Sequence, residues 1–166
     1  GIVYGISDFG LARNLDIPVK RAGEYIKLYF DRYPGVKSYL EKSVEDAKRQ
    51  GYAITMFERR RALTELKSSN YNTRSFGERV AMNMPIQGTA ADIIKLAMVK
   101  VSEALRARGL QAKLILQVHD ELIFDTPVSE ADEVVSLVHE CMEQVAMLSV
   151  PLDADVKVGH SWYETK

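Results

Sequence analysis

Apolar positions change their period twice along this chain of 166 residues. Ala22, Tyr25, Ile26, Tyr29 and Phe30 recur at helical spacing. Asp16-Ile17-Pro18 stands ahead of them, offering a capping acid and an early proline. After Pro34-Gly35 a second helix is predicted over 36–50, with Gly51 as its stop. Residues 52–57 are short and β-prone, and 59–72, polar with Ser68-Ser69-Asn70 at its middle, reads as a loop. Ser75-Phe76-Gly77-Glu78 matches a capping box, and the helix it opens meets Pro85 and Gly88, where a kink or break is expected. From Thr89, the positions Ile93, Ile94, Ala97, Met98, Val101 and Leu105 form one apolar stripe that ends at Gly109.

The period then falls to that of strands. Residues 113–118 and 122–125 are apolar runs separated by His119-Asp120-Glu121, a hairpin spacing. Ser129 is placed to cap a further helix with Val134, Val135, Val138, Met142, Val145 and Ala146 inward, and 152–158 alternates like another strand of the same sheet. Helices followed by hairpin, helix and strand make an α+β pattern, with helices on one face of a small antiparallel sheet. No internal repeat or low-complexity segment interrupts it.

Composition narrows the class. Hydrophobic residues at 46% and charged residues at 27% suit a globular chain with a core. No run of eighteen apolar residues suggests a membrane span. The lone Cys141 excludes an internal disulfide and suits a reducing compartment. Gly1-Ile2-Val3-Tyr4-Gly5 has no initiator Met, basic stretch or cleavage site. It reads as a cut end of something longer rather than a signal peptide. His119-Asp120-Glu121-Leu122 spells an ER-retention signal, which works only at a C-terminus.

The net charge of −1 conceals an asymmetry. Residues 1–118 hold 20 Lys/Arg against 12 Asp/Glu, whereas 119–155 hold 10 Asp/Glu and no Lys or Arg. A basic region is able to hold a polyanion, and an acidic one to hold cations or to favour solubility. Solvated faces charged by chance explain the same pattern.

Three groups of residues carry candidate chemistry. Asp120 and Glu121 lie at the expected hairpin tip, where both side chains are able to project past the sheet. Adjacent carboxylates there make a partial site for Mg²⁺, which takes oxygen ligands and keeps waters or phosphates elsewhere. Polar hairpin tips are also ordinary, but here apolar strands run up to the acids. Arg79, Asn83 and Gln87 are spaced i, i+4, i+8 among Val80, Ala81, Met82, Met84 and Ile86. On a continuous helix they form one stripe of donors. An exposed polar face also explains them, whereas donors facing a DNA minor groove would test base-pair geometry without selecting sequence, since every pair offers acceptors there. Arg59-Arg60-Arg61, with Lys67 and Arg74, forms a basic cluster of the kind that contacts phosphates, or an ordinary surface.

Ser7-Asp8-Phe9-Gly10 contains the Asp-Phe-Gly of protein kinases, whose Asp holds Mg²⁺. No Ala-Pro-Glu follows it, and a Pro-started helix comes within a few residues, so a kinase is the remote alternative.

Taken together and in order, these residues resemble the bacterial DNA polymerase I family, the family A DNA polymerases. Gln117-Val118-His119-Asp120-Glu121-Leu122 is similar to that family's third polymerase motif. Arg79 through Gln87, continuing into Gly88-Thr89-Ala90-Ala91-Asp92, is similar to its palm helices. Tyr4-Gly5 is similar to the end of its fingers-helix motif, and Trp162-Tyr163 also fits. The resemblance covers essentially the whole chain. It implies a partial fingers subdomain and basic loop over 1–74 and a palm subdomain over 75–166. The implied reaction is template-directed nucleotidyl transfer with two Mg²⁺ ions, on primer-template DNA and deoxynucleoside triphosphates. Asp120 would bind the catalytic metals with Glu121 assisting, and His119 would sit close to the primer end. Arg79, Asn83 and Gln87 would contact the primer-template minor groove. Tyr4 and Gly5 would lie where the templating base enters, and Arg59, Arg60 and Arg61 would hold DNA backbone. The family's first carboxylate motif and the fingers Arg and Lys that hold the triphosphate would lie before Gly1, in an N-terminal portion of the same polymerase. The alternative is therefore a DNA-binding piece without catalysis. The implied location is the bacterial cytoplasm, at the nucleoid.

Overall fold

A computed structural model describes residues 1–165. Two compact units emerge, Gly1–Thr89 and the residues from Ala90 onward, and each is described by itself. Among the described residues the chain is α+β, with helices accompanied by two antiparallel two-stranded sheets, one in each unit.

In the first unit a short 3-10 turn, Ile2–Tyr4, leads to helix α1, Asp8–Leu15. The Oγ of Ser7 caps α1 by accepting from the Gly10 amide at 3.1 Å. The Asp-Phe-Gly triplet is thus the first turn of a capped helix. Asp16 does not start the next helix, as its sequence position suggests. It ends α1 in a left-handed conformation at φ 53, one that Asp tolerates, with its amide on Ala12 O. Helix α2, Val19–Arg32, starts instead from Pro18. Helix α3, Pro34–Gln50, has its proline in the first turn, where no amide partner is needed, and stops at Gly51 with φ 83.

The polar stretch expected to be a loop is more ordered than its composition suggests. Strand β1, Tyr52–Ile54, pairs with strand β2, Arg60–Ala62. The Arg60 guanidinium lies 4.8 Å from the Tyr52 ring centre, so a long basic side chain covers the aromatic surface that composition alone would leave bare. A 3-10 turn at Thr64–Lys67 follows.

Helix α4, Tyr71–Asn83, starts earlier than the capping box implies. Asn70 caps it, its Oδ1 accepting from the Asn72 and Thr73 amides at 2.9 and 3.2 Å. Ser75 therefore lies inside the helix and accepts from Arg79 Nη1 at 3.0 Å. Ala47, Ala53, Leu63, Leu66 and Ala81 form the core of this unit. Burying a leucine such as Leu63, 1% exposed, stabilises by about 1.5–3 kcal/mol. The expected break at Pro85 is a single π turn, Met84–Gly88, after which helix α5, Thr89–Ala107, continues. Proline has no amide to donate to the preceding turn, and a widened turn accommodates that loss.

In the second unit α5 packs Val101 and Leu105 against Val134, Leu137, Val138 and Cys141 of helix α6, Ala131–Glu143. Burial pushes the Cys141 thiol above its usual value, against the opposing pull of Lys100. Strand β3, Lys113–Val118, and strand β4, Glu121–Asp125, form the expected hairpin, with a bulge between Leu114 and Leu116. Ser129 is not the cap of α6, because residues Val128–Glu130 form a 3-10 turn before it. The Glu130 carboxylate instead accepts from the Gln111 and Ala112 amides, satisfying the backbone that enters β3. Val145 and Ala146 fall beyond the end of α6 rather than on its inward face.

Residues 152–158 form no strand. Leu152, Ala154 and Val156 are half-buried and alternate with exposed neighbours, so the expected facing is present without a ladder. The Ala154 amide donates to Glu143 Oε1 at 3.3 Å. Alternation sets which side faces inward, but a strand also needs a paired backbone.

Candidate active-site elements

The donor stripe of the first unit is built on two close approaches that glycine permits. Gly5 has φ 75, and a Cβ there would stand 2.6 Å from Met82 Cε and 3.3 Å from Arg79 Cγ. Tyr4-Gly5 therefore lies directly against the face of α4 that carries Arg79, and the structure brings these sequence-predicted residues together. Tyr4 is 41% exposed. Gly88 is the second approach: a Cβ there would come 2.7 Å from Thr55 Cγ2 and 2.9 Å from Met84 Sδ. The loop joining β1 and β2 thus rests on the π turn.

Arg79 and Gln87 are exposed, whereas Asn83 is half-buried and its Oδ1 is enclosed without a hydrogen-bond partner. The stripe is not one straight row. In a π turn residues align i to i+5, so Gln87 is rotated from the line that an uninterrupted α-helix would draw through Arg79 and Asn83.

Arg59, Arg60 and Arg61 are exposed on the β1–β2 hairpin. Glu58, at φ 64, turns the chain there, and the Arg59 amide donates to Thr55 Oγ1 at 3.1 Å. Arg74, grouped with them by sequence, does different work. Its Nη1 donates to Ser68 O at 3.0 Å, bracing the approach to α4.

In the second unit His119 and Asp120 form a two-residue turn, and Glu121 opens β4 opposite Val118. His119 takes φ 54, and Gln117 Nε2 donates to its carbonyl at 2.7 Å. His119, Asp120 and Glu121 are all exposed. Among the described residues no group of three or more His, Cys, Asp or Glu side chains is arranged to hold a metal ion. The pair Asp120 and Glu121 does match the one or two carboxylates that Mg²⁺ takes from a protein when phosphates and water complete its shell. The donor set therefore suits part of a magnesium site.

Thr55 and Thr89, 5% and 8% exposed, belong with these elements although no site role marks them in the sequence. The Met56 amide donates to Thr89 Oγ1 at 2.9 Å, and that hydroxyl donates to Pro85 O at 2.6 Å. The available signal was a threonine four residues after a helix proline, placed to bond back to the proline carbonyl.

Comparison with known proteins identifies the family. The model of DNA polymerase family A matches residues 1–164. The chain is 52% identical over 166 residues to DNA polymerase I of Lactococcus lactis subsp. lactis, covering 100% of this chain and 19% of that protein. The value is 54%, with the same coverage, for DNA polymerase I of Geobacillus stearothermophilus. A solved structure, the POL domain of Pol1 from M. smegmatis in complex with DNA primer-template and dNTP, superposes with a TM-score of 0.96 at 45% identity. That match covers 99% of this chain and 29% of the other. The chain belongs to DNA polymerase family A, and it spans about one fifth of the length of the curated relatives it matches.

Proposed function

We propose that this chain is the part of a bacterial DNA-directed DNA polymerase that contacts the primer-template and supplies one carboxylate motif for nucleotidyl transfer. The observation that carries the reading is the likeness, at 45% identity, to a POL domain complexed with primer-template and dNTP. The acidic hairpin tip and the donor stripe of this chain support it. Residues 1–74 are assigned to the fingers and 75–166 to the palm. The remaining portion of the same polymerase is a partner, and the location is the bacterial cytoplasm, at the nucleoid. Among the described residues no helix is long and apolar enough to cross a membrane.

In this reading magnesium, when bound, supplies positive charge that acidifies the primer 3′-hydroxyl and neutralises the departing pyrophosphate. Asp120 presents its carboxylate oxygens at the end of the β3–β4 hairpin, with Glu121 beside it. His119, in the same turn, lies close to the primer end. Arg79, Asn83 and Gln87 offer donors to minor-groove acceptors that all base pairs share, so they hold the duplex without selecting sequence. Arg59, Arg60 and Arg61 neutralise backbone phosphates. Tyr4 stands where the templating base enters, and Gly5 permits its close seat on α4.

A second reading, a DNA-binding piece without catalysis, is favoured for the 166 residues on their own by the basic excess of residues 1–118. Primer extension by the whole polymerase, by the isolated chain, and by the whole polymerase carrying Asp120→Ala separates the two. The expected outcome is extension by the first alone, with salt-sensitive DNA binding by all three. Robust extension by the Asp120→Ala enzyme would overturn the assignment of the acidic tip.

A further inference from the structure

The β1–β2 loop and the π turn of the first unit are joined through one hydroxyl. The Thr89 amide is directed to Ile86 O, three residues back. The Thr89 Oγ1–H donates to Pro85 O at 2.6 Å. That same oxygen accepts from the Met56 amide at 2.9 Å, across a separation of 33 residues. A threonine bonding back to the carbonyl four residues earlier is common in helices and by itself ordinary. Here the oxygen is also the acceptor for a distant backbone amide, and it is nearly enclosed, with Thr89 only 8% exposed.

The surroundings reinforce the joint. Thr55 N–H donates to Arg59 O at 3.0 Å, and Thr55 Oγ1 accepts from the Arg59 amide at 3.1 Å, closing the loop that Met56 occupies. Gly88 lets this loop approach, since a Cβ at that position would stand 2.7 Å from Thr55 Cγ2. Gln87 lies between the two helix residues that the hydroxyl bridges, Pro85 and Thr89. Its backbone direction therefore depends on that bridge, and the loop side of the bridge leads straight into Arg59, Arg60 and Arg61 of the basic hairpin.

We propose that the Thr89 hydroxyl is a positioning group that locks the β1–β2 loop to the π turn and so fixes Gln87 for its contact with the primer-template. The inference rests on the polymerase reading for its consequence, though not for the bond itself. Without the hydroxyl the Met56 amide loses its acceptor and Pro85 O loses a donor together. Gln87 then samples directions in which its amide no longer meets the duplex, and DNA held by the arginines is held in a less reactive register. A displacement of this kind slows the chemical step more than it weakens binding.

The test uses the whole polymerase with Thr89→Val, which keeps the branched shape, and Thr89→Ser, which keeps the hydroxyl. Single-turnover extension should slow about tenfold in Thr89→Val, the size expected for one positioned hydrogen bond. Primer-template affinity should change far less, and Thr89→Ser should restore the rate. In a Gln87→Ala background, Thr89→Val should cost less than about twofold, because residues acting as a unit are not additive. Hydrogen exchange at the peptide containing Met56 should speed up in Thr89→Val and not in Thr89→Ser. The same rate loss with and without Gln87 would reduce Thr89 to a structural residue and overturn the proposal. Unchanged Met56 exchange would overturn it as well. If the unmodified polymerase extends no primer, the polymerase reading falls by itself. Faster Met56 exchange in Thr89→Val then still upholds the lock, and unchanged exchange removes both.

Discussion

The turn that carries Gln87 and the turn that carries Asp120 both depart from regular backbone, and they are held in opposite ways. The π turn Met84–Gly88 is braced from outside by the buried Thr89 hydroxyl and by Thr55 resting on Gly88. The His119-Asp120 turn is held by its own ladder, Val118 opposite Glu121, and by Gln117 Nε2 on the His119 carbonyl. Its side chains stand in solvent. One site thus takes its geometry from tertiary packing and the other from local register. The difference teaches where each is vulnerable. Packing changes should disturb the donor stripe and leave the acidic tip intact, whereas charge changes at the tip should alter chemistry and leave stability alone.

The sharpest separation comes from Asp120→Ala in the whole polymerase. In the proposed role, loss of this carboxylate should lower extension by roughly a thousandfold or more, with unfolding free energy within about 0.5 kcal/mol of the parent. Glu121→Ala should cost clearly less activity. Equal, small losses for both in a primer-extension assay would mean that the tip is only a turn.

Gly88→Ala should do the reverse. The new Cβ meets Thr55 Cγ2 at 2.7 Å, in a loop closed by backbone bonds, so a destabilisation of about 1–3 kcal/mol is expected in urea unfolding. Gly5→Ala should cost about 1–2 kcal/mol, chiefly because φ 75 is strained for alanine. Its nearest neighbour, Met82 Cε, is the flexible end of a side chain and is able to move aside. Full stability in Gly88→Ala would show that packing does not brace the π turn.

Smaller effects belong to the stripe. Arg79→Ala and Gln87→Ala should each slow extension about tenfold, more than they weaken DNA binding, and do so on every template sequence. A defect confined to some sequences would identify direct base readout and remove these residues from the role given to them. Smallest of all, Asn70→Ala should destabilise by about 1 kcal/mol through loss of the α4 cap, with activity changed only slightly. Thermal unfolding of the variant checks it.

Much of this was legible in the order of residues. The helical spacing from Ala22 to Phe30 and the stop at Gly51 follow from periodicity and from the left-handed preference of glycine. The apolar runs around His119-Asp120-Glu121 specified a hairpin, because alternation and turn chemistry are local properties. The acidic tip was legible for the same reason: its position is set by neighbours in sequence. The misplaced caps have a common cause. Asp16, Ser75 and Ser129 are each competent caps, and nothing local decides between them and Pro18, Asn70 or the 3-10 turn that competes.

What tertiary structure alone decided lies where the partner is distant in sequence. Residues 60–62 became a strand because Tyr52–Ile54 was there to pair and Tyr52 to be covered, whereas 152–158, with the better alternation, has no ladder among the described residues. The seat of Tyr4-Gly5 on α4 and the bond from Met56 to Thr89 are likewise contacts between segments that no period or spacing relates. Periodicity carries which face of an element is apolar, since that depends only on the geometry of one segment. It carries nothing about which second segment will donate to a helix hydroxyl or fill the space above a glycine, since those depend on where the rest of the chain has gone.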